Sequence, residues 1–157
     1  MEKAEVLRLI DAHDWLWRQW WPPLLGLPPE QAHKEVGGSF PSVFATALHM
    51  VGSELTWQTR CDGHRAETPP PPEDMAALHR DWEALALRRR GWLEAHPPQT
   101  LVTYAHSGGT ATNPVDEIIL HLTSHAHFHR GQLAAQFRLL GLKPPSAHLI
   151  TFFRLQG

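Results

Sequence analysis

One cysteine, Cys61, stands in 157 residues. No disulfide can close within the chain, which fits a reducing cytoplasm. No apolar run approaches the roughly 20 residues that a helix needs to span a bilayer, and Met1 to Leu9 alternates charge with apolar residues where a secretory leader would carry an apolar core. Charge is scarce as well: 19% of the chain is charged and the formal net charge is −2, so no broad basic field invites a nucleic-acid backbone. The short basic cluster Arg88, Arg89 and Arg90 reads as a solvated helix face. No internal repeat is visible, and neither a Ser-His-Asp nor a Cys-His arrangement can be argued from the residues, since Cys61 has no base beside it. With 42% hydrophobic residues, the chain reads as one globular domain over 1–157 that partners neither nucleic acid nor membrane.

What the chain has in plenty is histidine, 12 in all, and tryptophan, seven. The tryptophans recur mostly at helical spacing, where core packing is the ordinary explanation. Four histidines fall in the run His121 to Gln132, which reads His-Leu-Thr-Ser-His-Ala-His-Phe-His-Arg-Gly-Gln. At about 100° per residue, His121, His125 and His129 form one stripe of a helix, while His127 falls roughly opposite His125 as a solvated residue. Imidazoles four residues apart bring ring nitrogens close together on one side, the arrangement that grips a divalent ion. Stacked rings without an ion would leave several nitrogens unsatisfied in a poorly hydrated interior. The stripe is not a whole site, because a catalytic centre of this kind wants three protein ligands and an open position. A partner has to come from another segment.

Val6, Leu9, Ile10, His13, Leu16, Trp17, Trp20 and Leu24 follow the spacing of a first amphipathic helix, which Pro22 and Pro23 should kink or end near Trp21. His13 reads most simply as a core histidine. Residues 26–39 read as a connector. Ser39 or Ser42 caps a second helix, with Phe44, Leu48, Val51 and Leu55 as its buried stripe. His49 lies at the edge of that stripe, and spacing leaves open whether it is a boundary residue or a ligand. Glu54 is equally open between an exposed acid and a site residue. The tract Pro69 to Pro72 is a stiff linker. A third helix carries Met75, Leu78, Trp82, Leu85 and Trp92 and stops before Pro97. Thr100 to Tyr104 and Thr110 to Thr112 pair as a minor hairpin around Ser107 to Gly109. Asn113 caps a fourth helix with Pro114 in its first position, and Val115, Ile118, Leu122, His125, His129, Leu133 and Gln136 or Phe137 share one face. Histidines thus replace apolar residues where a cavity between helices would lie. Gly131, costly in a helix interior, suggests a close helix neighbour. Gly141 ends the helix, and a last short helix within Ser146 to Leu155 should pack Leu149, Ile150 and Phe153 downward. The fold class is all-α, a four-helix bundle with one short hairpin before the last long helix.

The run His-Phe-His-Arg-Gly-Gln, preceded by His125 four residues before His129, resembles the C-terminal signature of the DinB-like (DNA-damage-inducible) metalloprotein family. Gly-Gly-Ser-Phe-Pro-Ser followed by His49, Glu54 and Trp57 is similar to that family's second-helix pattern, and Tyr104 through Asn113 resembles its hairpin. The resemblance covers nearly the whole chain. It departs at His-Asp-Trp-Leu-Trp-Arg, residues 13–18, and at His148, where members often carry Asp. The resemblance implies a four-helix bundle of unusual connectivity with one divalent metal held by His49, His125 and His129. His121 and Gln132 then become pocket groups, with His13 and Glu54 as further candidates, and Arg130 points aside.

Three neutral imidazoles leave an ion's charge largely uncompensated, so a water or thiol beside it should ionise more easily. The family includes thiol transferases using bacillithiol or mycothiol, related isomerases, and hydrolases. The expectation is therefore activation of a low-molecular-weight thiol for conjugation to a small electrophile in stress or detoxification chemistry. Metal-assisted hydrolysis and a non-catalytic metal-binding bundle are the alternatives. Imidazole ligation suits zinc, nickel, iron, manganese or copper, so the ion's identity stays open. Exposed tryptophans on the first helix would suit a homodimer.

Overall fold

The computed structural model describes residues 1–66 and 69–155. Its four long helices are α1 (Lys3–Leu25), α3 (Val43–Cys61), α4 (Met75–Ala95) and α5 (Val115–Leu139). A one-turn α2 (Pro29–Ala32) lies between the first two, and α6 (Leu149–Leu155) closes the described chain. Strands β1 (Leu101–His106) and β2 (Gly109–Pro114) form an antiparallel hairpin with Leu101 opposite Pro114 and His106 opposite Gly109. Helix α1 packs on α4 and α5, and α3 packs on the same two. Consecutive helices therefore sit across the bundle twice, α1 from α3 and α4 from α5. This connectivity makes α3 and α5, far apart in sequence, direct neighbours.

The core divides into two clusters. Trp17, Trp20, Trp21, Met50, Trp82 and Phe137 belong to one, with Trp17 and Trp21 stacked at 4.8 Å. Val6, Ile10, Leu93, Val102, Val115 and Ile118 belong to the other, next to the hairpin. Burying one large apolar side chain contributes about 1.5–3 kcal/mol, so these clusters supply much of the driving force for folding.

Several expectations are corrected by this packing. Helix α1 runs through Pro22 and Pro23 to Leu25. The carbonyls that those prolines cannot pair belong to Arg18 and Gln19 on the outer side, while Trp20, Trp21 and Leu24 are buried and hold the last turn down. The tryptophans of α1 are not an exposed pairing face: Trp17, Trp20 and Trp21 are buried and half-buried Trp15 packs on Phe152. In α3 the buried side is turned from the expected stripe. Phe44 and Val51 of that stripe are buried, but Val43, Ala47, Met50, Glu54 and Gln58 are inside as well, and Leu48 and Leu55 are only half-buried. Helix α3 is covered by both α4 and α5, and its polar groups find partners there that an apolar pattern cannot register. Arg89 is not a solvated residue but is 2% exposed. Gly131 has no neighbour within 4 Å of where a Cβ would stand, so no close helix explains it. Pro114 rather than Asn113 is the N-cap of α5, because β2 runs through Pro114 and the helix begins only at Val115. In α6, Phe152 packs down while Leu149 and Ile150 are exposed.

Candidate metal centre

His49 lies midway along α3, and His125 and His129 lie one turn apart on α5. Their three Nε2 atoms converge: His49 is 3.1 Å from His125 and 3.2 Å from His129, which are themselves 3.1 Å apart. A neutral ring nitrogen is either a donor or an acceptor. Three mutual contacts therefore cannot all be hydrogen bonds. A cation satisfies all three lone pairs at once, and an ion bonded at about 2.0–2.1 Å in tetrahedral geometry keeps its nitrogen ligands about 3.3 Å apart, close to the spacing seen here. The cluster is able to hold a metal ion.

The surrounding groups prepare the nitrogens for that task. Nδ1 of His129 donates to Oε1 of Gln132 at 3.0 Å, because an amide oxygen only accepts. Nε2 of His129 is then left with its lone pair facing the other two rings. The Gln132 amide is oriented in turn by donating from Nε2 to Oγ of Ser39 at 2.9 Å. One turn on, Gln136 donates to the carbonyls of Gly37 and Phe40 and accepts from Oγ1 of Thr46. These two glutamines staple residues 37–40 onto α5. Gly37 and Gly38, at φ 83° and 109°, supply the left-handed turn that lets the loop reach them. Phe40 is thereby laid against His49, ring centroids 4.2 Å apart. Burial and the neighbouring His129 and His49 push His125 down to about 4, and burial with His129 lowers His49. Both rings are neutral near pH 7, the form that ligates.

His121 is exposed, with its ring 5.8 Å from that of His125 and edge-on to Trp57 at 5.3 Å. It borders the cluster and does not join it. Glu54 and His13 lie in a buried ionic network instead. Oε1 of Glu54 accepts from Nε2 of His13 at 2.9 Å and from Nε1 of Trp17 at 2.6 Å, and Oε2 accepts from Arg89 at 2.6 Å. Arg89 also donates to Asp14. Arg130 does not point aside: it is buried, and its guanidinium lies against Nδ1 and the carbonyl of His13. Burial alone pushes the Glu54 carboxyl up, but His13, Arg89 and the Trp17 donor outweigh it and hold Glu54 well below the usual carboxylate range. Burial dominates at His13 and lowers it, so the ring is neutral with its proton on Nε2. Burial likewise pushes the Cys61 thiol up to about 11, far from the reactive range.

Sequence reasoning missed Ser39, Phe40, Asp14 and Arg89. Arg89 could have been found, because it continues the inward spacing of Leu78, Trp82 and Leu85.

The family model described as the DinB family matches residues 2–156. No match is found among curated proteins. Among solved structures, a DinB-like protein from Bacillus cereus ATCC 10987 superposes with a TM-score of 0.68 at 16% identity, covering 89% of this chain and 95% of that one. At that identity the likeness is one of fold.

Proposed function

Because the chain belongs to the DinB family, we propose that it is a metal-dependent enzyme. In this reading His49, His125 and His129 hold one divalent ion beside which a low-molecular-weight thiol is activated for transfer to a small electrophile. The observation that carries the reading is the convergence of three Nε2 atoms within 3.2 Å, with the lone pair of His129 oriented by Gln132. Three protein ligands leave room for a fourth group from the substrate. The bound ion supplies Lewis acidity, which eases loss of the thiol proton.

The chain's own residues do the rest. Gln132 and Ser39 fix the rings, Phe40 shields His49 from water, and the half-exposed edge at His125 and His121 admits substrate and lets the proton escape to solvent. In the transfer the S–H bond breaks with its electron pair kept on sulfur, a C–S bond forms, and the leaving group departs with its own pair. Glu54 favours a thiol over water as the activated group. Both of its oxygens are committed to His13, Trp17 and Arg89, so it is no free general base. A free thiol, with an ordinary pKa near 8.5, starts closer to its ionised form than free water, at about 15.7, before the ion lowers either.

The test is conjugation of bacillithiol to a model alkyl halide by zinc-loaded and nickel-loaded protein, wild type against His129→Ala. A rate at least a hundredfold higher in the wild type supports the transferase. Equal rates leave the metal-binding bundle without catalysis as the better account, and ester cleavage without thiol would favour the hydrolase.

A further inference from the structure

The groove between α3 and α5 does not end at the histidines. On α3, His49, Ser53, Trp57 and Arg60 recur at helical spacing and are all half-buried, so they form one stripe along an open edge. On α5 the facing stripe is His129, His125 and His121, and the contact of His121 with Trp57 at 5.3 Å shows that the two stripes meet there. Trp57 is eight residues from His49, about 12 Å along the helix axis. Arg60 lies three residues further, eleven from His49 and about 16 Å along the axis, but its side chain returns to the Trp57 ring. Its guanidinium carbon lies 4.6 Å from the Trp57 ring and 4.7 Å from the Tyr104 ring, and one of its nitrogens donates to the carbonyl of Ala105.

This arginine is held in place without being neutralised. Tyr104 is pinned by donating its hydroxyl to Asn113 at 2.8 Å, and Trp57 stands edge-on to Tyr104 at 4.9 Å. The nearby acids are engaged elsewhere: Asp62 pairs with Arg88, and Glu117 accepts from Asn113. Among the described residues no carboxylate pairs with Arg60. A guanidinium braced on two aromatic faces keeps most of its donors free and has already lost much of its side-chain entropy, which suits it to grip a planar anion in two-point fashion.

We propose that Arg60, with Trp57 as floor, is the anion anchor of the substrate groove, so that the preferred thiol is an elongated one bearing a carboxylate about 10 Å from its sulfur. The anchor rests on the metal reading only for where the sulfur goes; the anion site itself stands on Arg60, Trp57 and Tyr104.

Calorimetric titration separates the two. The probes are a straight-chain mercaptoalkanoate of about eight carbons, the matching mercaptoalkanol, and octanoate and octanol as their thiol-free counterparts, added to zinc-loaded protein. The wild type should bind each acid about tenfold more tightly than its alcohol, a preference of the size one charge-assisted pair gives. Arg60→Met should erase it with or without the thiol, and Arg60→Lys should keep most of it. His125→Ala should abolish the advantage of thiols over their counterparts and leave the acid preference intact. If thiols gain nothing in the wild type, the metal reading fails while the octanoate arm still decides the anchor. No acid preference in the wild type, or an undiminished one in Arg60→Met, overturns the proposal. Loss in both Arg60 variants together with a lowered melting temperature overturns it as well, since Arg60 would then be structural.

Discussion

Gln132 shows how much of the centre is decided by single side chains outside the three imidazoles. Its amide oxygen fixes which nitrogen of His129 carries hydrogen, and Ser39 fixes the amide. Gln132→Leu should weaken zinc binding about 10–100-fold in competition with a chromophoric chelator, with the fold intact, while Gln132→Glu retains an acceptor and loses less. Unchanged affinity in Gln132→Leu would show that the tautomer is set some other way. The buried arginine matters differently. Arg89→Met leaves Glu54 and Asp14 uncompensated in the interior and should cost about 3–5 kcal/mol in urea unfolding, against a total stability of about 5–15 kcal/mol. A loss below about 1 kcal/mol would mean the network is not buried in solution. The three converging histidines were legible in sequence because their spacing and family pattern name them. His13 was legible as a buried histidine but its partners were not, and Glu54 was not assignable, since their environment comes from Arg89 and Arg130 on other helices.

Among elements, α5 gives the clearest contrast between glycines. Gly131 lies in the helix interior, exposed and without a neighbour, whereas Gly141 follows the helix end at φ 77°. Gly131→Ala should stabilise by about 0.5–1 kcal/mol. Gly141→Ala should destabilise by about 1 kcal/mol, because an L side chain is strained at that φ. Thermal melts of the two variants moving in the same direction would contradict this assignment of the helix end. The four long helices and α6 were readable from three-and-four spacing, the one-turn α2 inside the connector at residues 26–39 was not, and Ser42 and Gly141 did mark boundaries. The Pro22–Pro23 stop failed because buried Trp20, Trp21 and Leu24 outweigh two missing hydrogen bonds at the outer surface. The loop at residues 37–40 was unreadable as part of the site. Only the glutamines of α5, a hundred residues away in round terms, reveal why it folds over His49.

The whole molecule has a pH dependence set by its buried groups. The folded-state pKa of His13 lies below the ordinary value of 6.5, so its contribution is complete above 6.5 and is lost as pH falls and the unfolded chain takes up the proton first. Glu54, depressed below 4.5, acts in the same direction at lower pH, while Asp14, raised by burial, opposes it. His49 and His125 add to the acid sensitivity of metal-free protein. Each proton contributes at most about 1.4 kcal/mol per pH unit. His13→Gln should therefore lose stability less steeply than wild type between pH 6.5 and 5 in chemical denaturation; parallel curves would contradict a neutral buried His13. The all-α bundle and its hairpin were legible as a whole, but the diagonal arrangement that makes α3 and α5 neighbours came with the family resemblance and not from periodicity.

The central claim, that imidazoles from α3 and α5 share one cation, is tested most directly by elemental analysis of protein purified without a nickel column, then titrated with zinc, as wild type and as His49→Ala. One tightly held ion per chain in the wild type and none in the variant is the predicted result. Equal metal content in the two, or a wild type that takes up no zinc, would contradict it.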